Sequence, residues 1–346
     1  MARRHLRKVT PMRVDGGIPS ELEKIAGAAQ AQEKAGYDGA WVAETSRDPF
    51  LPLALAAEHT STLEIGTSIA VAFARNPMTT AVSGNDLQRY SQGRFILGLG
   101  SQIKPHITKR FSMEWSKPAA RMREFVLAMR AIWDCWNLGT PLEFRGDFYT
   151  HTLMTPFFNP GPNPFGQPKV LLAGVGERMT EVAGEVCDGF FAHAFTTERY
   201  LKEVSLPALQ RGMDKSGRMR TDFQVSLPVF LVTGRNEEEF EKAAAGTRQQ
   251  IAFYGSTPAY RPVLELHGWG DLQTELNTLS KRGAWEEMGR LLDDDILAAF
   301  AVVGEPKDIP AQIRERFDGV VDRVSFYLPY ESDHGELAGL ITELKA

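Results

Sequence analysis

Lys169 to Arg178 (KVLLAGVGER) runs an apolar stretch into Gly174, Val175 and Gly176 and then into helix-favouring residues. Small residues at such a turn let backbone amides close on an anion, and the dipole of the following helix favours negative charge there. Phosphate binding is the chemistry this pattern serves. It is not a Walker loop, because no Lys-Ser/Thr pair follows, and glycines so spaced also make plain tight turns. Arg94 to Ser101 (RFILGLGS) has the same character: Gly98 and Gly100 end an apolar run where a ligand approaches or a helix packs close. Glu44 closes another apolar run, placed either to accept a hydrogen bond from a ligand or to be solvated. His193, in FFAHAF, is an acid, a base, a ring-stacking donor or a structural histidine.

Other chemistries find no support. No His, Asp and Glu cluster has dependable metal spacing, and Asp293 to Asp295 precede an apolar helix, so they read as helix N-terminal charge. Hence no metal is expected. There is no G-x-S-x-G elbow and no reactive cysteine setting; Cys135 and Cys187 sit in patterns of packed helix, which implies no disulfide and fits a cytosolic location. A formal charge of -5 over 346 residues gives no general attraction to nucleic acid or anionic lipid. The longest apolar runs, such as Ile296 to Val303, are too short to span a membrane. Residues 1–10, basic through Arg3, Arg4, Arg7 and Lys8 but lacking the apolar run of a secretory signal, read as a flexible, solvated extension.

The elements that must position these residues alternate. Strands are expected at Met12 to Asp15, Asp38 to Glu44, Glu64 to Phe73, Arg94 to Leu99, Lys169 to Ala173, Gly189 to His193, Phe223 to Thr233 and Arg323 to Leu328. Helices fall between them, the first opened by a capping box of Ser20 and Glu23 and closed by Gly36. The strongest is Pro118 to Leu138, with Met122, Phe125, Val126, Met129, Ile132, Trp133 and Trp136 on its apolar face and Gly139 as its stop. LEFRGDFY (142–149) reads as a hairpin. Eight strands separated by helices close naturally into a (β/α)8 TIM barrel, a doubly wound sheet being the alternative. The chain then forms a single domain over 11–346, with insertions of about 102–168 and 254–301 at the C-terminal mouth. In a barrel the chemistry belongs at the C-terminal strand ends, near Glu44, Ser68, Ser101, Gly174 and His193.

Several segments taken in order resemble the luciferase-like monooxygenase superfamily, and most closely its branch dependent on the deazaflavin coenzyme F420. They are AGYDGAWVAE (35–44), LEIGTSIAVAFARNP (63–77), GRFILGLGS (93–101), FRGDFY (144–149), LLAGVGERMTEVAGEVCDGF (171–190) and VVGEPKDI (302–309). The resemblance implies a barrel whose third strand bulges at a non-proline cis peptide, Ser68-Ile69, backing the cofactor ring. It implies that Glu44 and Thr45 border that ring, that Ser101 and Gln102 follow the fourth strand, and that Gly174, Val175, Gly176 and Arg178 receive the phosphate. His193 and Thr45 are the candidate catalytic residues. Thr45 stands where sugar-phosphate dehydrogenases of the family carry His, and Ile103 where they carry Glu, so that particular chemistry is not expected. Phe111, Trp115, Phe157, Phe158 and Phe195 near the mouth suggest an apolar small-molecule substrate, or else packing for the insertions. The expected activity is hydride transfer between F420 and an organic substrate; an FMN-dependent monooxygenase and a non-catalytic flavin-binding barrel are the alternatives. A homodimer is left open.

Overall fold

The computed structural model describes residues 12–331 and 334–345. The chain alternates parallel strands with helices: β1 (Arg13–Gly17), β2 (Gly39–Val42), β3 (Glu64–Thr67) continued by β4 (Ala70–Val71), and β5 (Phe95–Gly100). A two-stranded antiparallel hairpin follows, β6 (Phe144–Arg145) with β7 (Thr150–His151). Then come β8 (Lys169–Gly174), β9 (Gly189–Ala192), β10 (Gln224–Val232), β11 (Ala301–Val303) and β12 (Arg323–Tyr327). Pairing runs from β1 through β2, β3, β5, β8, β9, β10 and β12 and back to β1, which closes the expected eight-stranded barrel. Residues 1–10 lie outside the described residues.

Three local expectations need correcting. The first helix spans Leu22–Lys34 with Glu21 as its N-cap in extended conformation and no side-chain cap bond. Ser20 therefore lies one residue too early, and Glu23 falls at the second helical position, where a capping box cannot close. The continuous strand expected over 64–73 is broken into β3 and β4, whereas the non-proline cis peptide expected at Ser68-Ile69 is present between them. Finally, Ala301–Val303 is an extra short strand rather than the tail of an insertion. Phe230 of β10 pairs with Tyr327 of β12 on one edge and Ala301 of β11 on the other. Because β9 pairs only with Gln224, Val225 and Ser226, the upper edge of the nine-residue β10 is left free, and β11 covers it.

Between barrel and helices lies a continuous apolar layer that includes Val14, Ile65, Leu97, Leu172, Val225 and Val324. The helix Pro118–Leu138 ends at Gly139, whose φ of +71° suits glycine. Its Met122, Phe125, Met129 and Trp133 are fully buried, each such side chain contributing about 1.5–3 kcal/mol of transfer free energy. The Trp133 indole N–H donates to the Ala81 carbonyl at 3.0 Å, so even this core aromatic keeps its polar atom paired.

The interior of the barrel is filled by unequal partners. Low in the barrel, Arg323 is fully buried and donates to both carboxylate oxygens of Asp15, at 2.8 and 2.6 Å, and to Glu64 at 2.5 Å. Arg13 reaches the same Glu64 oxygen at 2.6 Å. Burial opposes ionisation of Glu64, but Arg323 and Arg13 outweigh it and hold the carboxyl below its ordinary value. Above this cluster sit Trp41 and Phe191, edge to face at 5.5 Å, with Ile96 and Leu171. Glycine makes the room for them: a Cβ on Gly66 would stand 2.8 Å from the Trp41 ring, and one on Gly39 would stand 2.6 Å from Arg323.

Candidate cofactor and substrate site at the barrel mouth

Gly176 is the N-cap of the helix Glu177–Val186, in extended conformation, and no side chain caps the first amides of that helix. A Cβ on Gly176 would meet nothing within 4 Å, so space is open in front of those amides. Arg178 is exposed and has no ion pair or hydrogen bond among the described residues. Open space, uncapped amides, a helix dipole and an unpaired guanidinium together fit a phosphate. Gly174 has a different reason to be glycine: its Cβ would stand 2.9 Å from Met179 of the same helix. Beneath, the helix Leu206–Ser216 crosses this one at backbone contact. A Cβ on Gly184 would lie 2.2 Å from the Leu209 carbonyl oxygen, and one on Gly212 would lie 2.0 Å from that of Glu181.

At the break in the third strand, the backbone is tied on both sides. Ser68 N–H donates to the Val42 carbonyl at 2.8 Å, Glu44 N–H to the Ile69 carbonyl at 3.2 Å, and the buried Thr67 hydroxyl bonds both polar groups of Gly98. Ile69 lies over Gly100, where a Cβ would approach it to 2.8 Å. Glu44 is not solvated: its side chain is 7% exposed, and one oxygen accepts from Val71 N–H at 2.7 Å and from Arg75 at 2.6 Å. Glu44 thus organises the residues after the break through Arg75, a partner that sequence reasoning did not single out. Thr45 is exposed, and Arg110 from the segment after β5 donates to its carbonyl. Gln102 holds a left-handed φ of 58°, its side-chain oxygen accepting from Ile103 N–H, while the Ser101 hydroxyl donates to the Gln102 carbonyl.

His193 follows β9 and lies among Tyr254, Tyr260 and Phe195. Its Nδ1 accepts from Phe195 N–H at 3.0 Å, which leaves Nε2 as the protonated nitrogen facing the Tyr260 hydroxyl at 3.2 Å. Burial pushes the imidazole down to about 4, so the ring is neutral at physiological pH and works as a hydrogen-bonding group. A depressed folded value means that protonation opposes folding. The stability this adds is full above the unfolded histidine value and is lost as pH falls towards about 4. Wild type should therefore lose about 2 kcal/mol more than His193→Gln in urea unfolding between about pH 7 and 4.5. Equal losses in the two proteins would mean that the ring is not neutralised by burial.

A cavity of about 800 Å³ opens at the mouth, lined by Asp15, Gly17, Trp41, Ala43, Ser68 and Tyr327 among others. It joins the strand break to the ends of β1 and β12. The five aromatics expected near the mouth do not line it. Phe157 and Phe158 are 90% and 72% exposed, Phe195 is buried against Tyr260 and Phe300, and Trp115 packs on Phe73. Phe111 packs beside the main core and under Arg110. What sequence reasoning missed is the polar lining of β12, where Ser325 and Tyr327 alternate inward; the period of two in RVSFY was the available signal.

Fold and site define a (β/α)8 barrel with an uncapped helix start at Gly176 and a cavity at its C-terminal mouth. The luciferase-like monooxygenase family model matches residues 6–323, and the chain belongs to that family. It is 60% identical over 313 residues to the uncharacterized protein Rv1360 of Mycobacterium tuberculosis, covering 90% of this chain and 92% of that one. It is 26% identical over 318 residues to 5,10-methylenetetrahydromethanopterin reductase of Archaeoglobus fulgidus, covering 89% and 90% of the two chains. Among solved structures, coenzyme F420 dependent tetrahydromethanopterin reductase from Methanopyrus kandleri superposes with a TM-score of 0.77 at 21% identity, covering 97% of this chain and 98% of that one.

Proposed function

We propose that the protein is an F420-dependent oxidoreductase that transfers a hydride between the deazaflavin and an organic substrate. The observation that carries the reading is the uncapped, open helix start at Gly176 with the unpaired Arg178, in a barrel related over nearly its whole length to a methylenetetrahydromethanopterin reductase. Gly174, Val175, Gly176 and Arg178 hold the phosphate. The ring backs onto Ser68 and Ile69, with Glu44, Thr45, Ser101 and Gln102 bordering it. When bound, the cofactor supplies two-electron hydride chemistry. The chain supplies orientation: Ile69, pinned over Gly100, closes one side of the ring site and leaves the cavity side to the substrate. Glu44, held by Arg75, keeps that wall in place, and His193 positions Tyr260 from the far rim rather than moving protons.

Titrating the purified protein with F420 and with FMN, followed by fluorescence and absorbance, tests the cofactor. Saturation by F420 at micromolar concentration, with FMN binding far weaker, is the expected result. A clear FMN preference would reverse the assignment in favour of an FMN-dependent monooxygenase.

A further inference from the structure

Asp15 points into the barrel, where it meets Arg323, and Gly17, two residues further along β1, faces the same way. The strand register sets Gly17 level with Trp41 of β2. Ser325 pairs with Asp15, so Tyr327, two residues above it, stands at the same level on the other flank. A Cβ on Gly17 would meet nothing within 4 Å, so this glycine serves neither a turn nor a close contact. It keeps a slot open between an indole and a phenol.

Both flanks offer hydrogen bonds. Trp41 is 8% exposed and its indole N–H has no acceptor among the described residues. The Cε3–Cζ3 edge of its ring lies against Gly66 of β3, which turns the N–H edge away from β3. The Tyr327 hydroxyl is held 2.9 Å from that of Tyr254. Burial first, and then that bond, push the Tyr327 phenol above its ordinary value, so it stays protonated through neutral pH. The lining includes the carboxylates of Asp15 and Glu331 but no Lys, Arg or His among the described residues.

We propose that the slot between Trp41, Gly17 and Tyr327 takes a neutral oxygen of the substrate, a carbonyl or hydroxyl group, hydrogen-bonded by the Trp41 indole and the Tyr327 hydroxyl. This rests on reading the mouth cavity as the substrate side of the cofactor site. A carboxylate entering here meets Glu331 and an Asp15 that already occupies Arg323, with no free cation among the described lining residues to receive it. A hydrocarbon leaves the buried indole N–H unmatched, which is costly.

Saturation-transfer NMR with cyclohexanone, cyclohexanol and cyclohexanecarboxylate tests the slot in wild type, Gly17→Leu and Tyr327→Phe, each with and without F420. The expected result is ketone and alcohol binding in wild type in at least one cofactor state and no binding of the carboxylate. Gly17→Leu abolishes the signal while keeping its circular dichroism, and Tyr327→Phe binds the ketone about tenfold more weakly. Should Gly17→Leu not fold, the Tyr327→Phe ratio still decides. Ketone signals absent in both states, retained in folded Gly17→Leu, unchanged in Tyr327→Phe or matched by the carboxylate overturn the proposal. Ketone binding by a protein that takes up no F420 rejects the cofactor assignment and leaves the slot standing.

Discussion

Arg323→Met is expected to cost about 3–5 kcal/mol of folding stability, because it strands the fully buried Asp15 carboxyl and leaves Glu64 with Arg13 alone. Arg323 donates to both carboxyls, to Asp15 through a bidentate contact at 2.6 and 2.8 Å and to Glu64 at 2.5 Å. Methionine fits the volume but offers no donor, and Asp15 can then stay buried only by taking up a proton. Its carboxyl already feels burial as the largest influence, pushing it upward. Urea unfolding at neutral pH reads the loss directly. The double variant Asp15→Asn, Arg323→Met should recover part of it, since removing both partners leaves fewer uncompensated charges. A single-variant loss below about 1 kcal/mol would show that the cluster is dispensable and that water reaches the barrel floor.

Why this cluster escapes sequence reading is instructive. Arg13, Asp15, Glu64 and Arg323 belong to three strands, with up to 308 residues between partners, and charge near a strand end ordinarily reads as solvated. Only barrel closure brings them together. What was legible depended on local periodicity: the helix Pro118–Leu138 falls where its apolar spacing and the stop at Gly139 place it. The strand break was legible only through family resemblance, since nothing in GTSIAV marks an interruption. Glu44 stood out as a strand-end acid, yet its partners Val71 and Arg75 depend on how the chain leaves that break. The aromatic residues of the insertions misled because composition says that they are present near the mouth, not which way they face. Phe157 and Phe158 face solvent.

Gly176→Val is expected to weaken F420 binding about 100-fold, the loss of roughly 3 kcal/mol of charge-assisted contact with backbone amides and Arg178. The backbone there, at φ -84° and ψ 150°, accepts a β-branched residue, and its Cβ enters open space. Folding should therefore change by less than about 1 kcal/mol. The open space is what valine removes, and an anion can then no longer come down onto the helix start. Gly174→Val is the contrasting change: it presses on Met179 at 2.9 Å and should lower stability as well as affinity. Fluorescence titration and thermal unfolding, measured on the same preparations, separate the two effects. If folded Gly176→Val binds F420 within twofold of wild type, the loop does not receive the phosphate.

The crossing of helices Glu177–Val186 and Leu206–Ser216 limits how the helix start at Gly176 can move. At Gly184 and Gly212 the two helices meet through main-chain atoms, with no side chain between them to be enlarged or trimmed. Most helix contacts drift as their side chains are exchanged, and the helices shift by fractions of an ångström to follow. Here that freedom is absent, since any larger residue must lift one helix off the other and carry Gly176 with it. The support beneath Gly176 thus admits no larger residue at either glycine without moving that helix start.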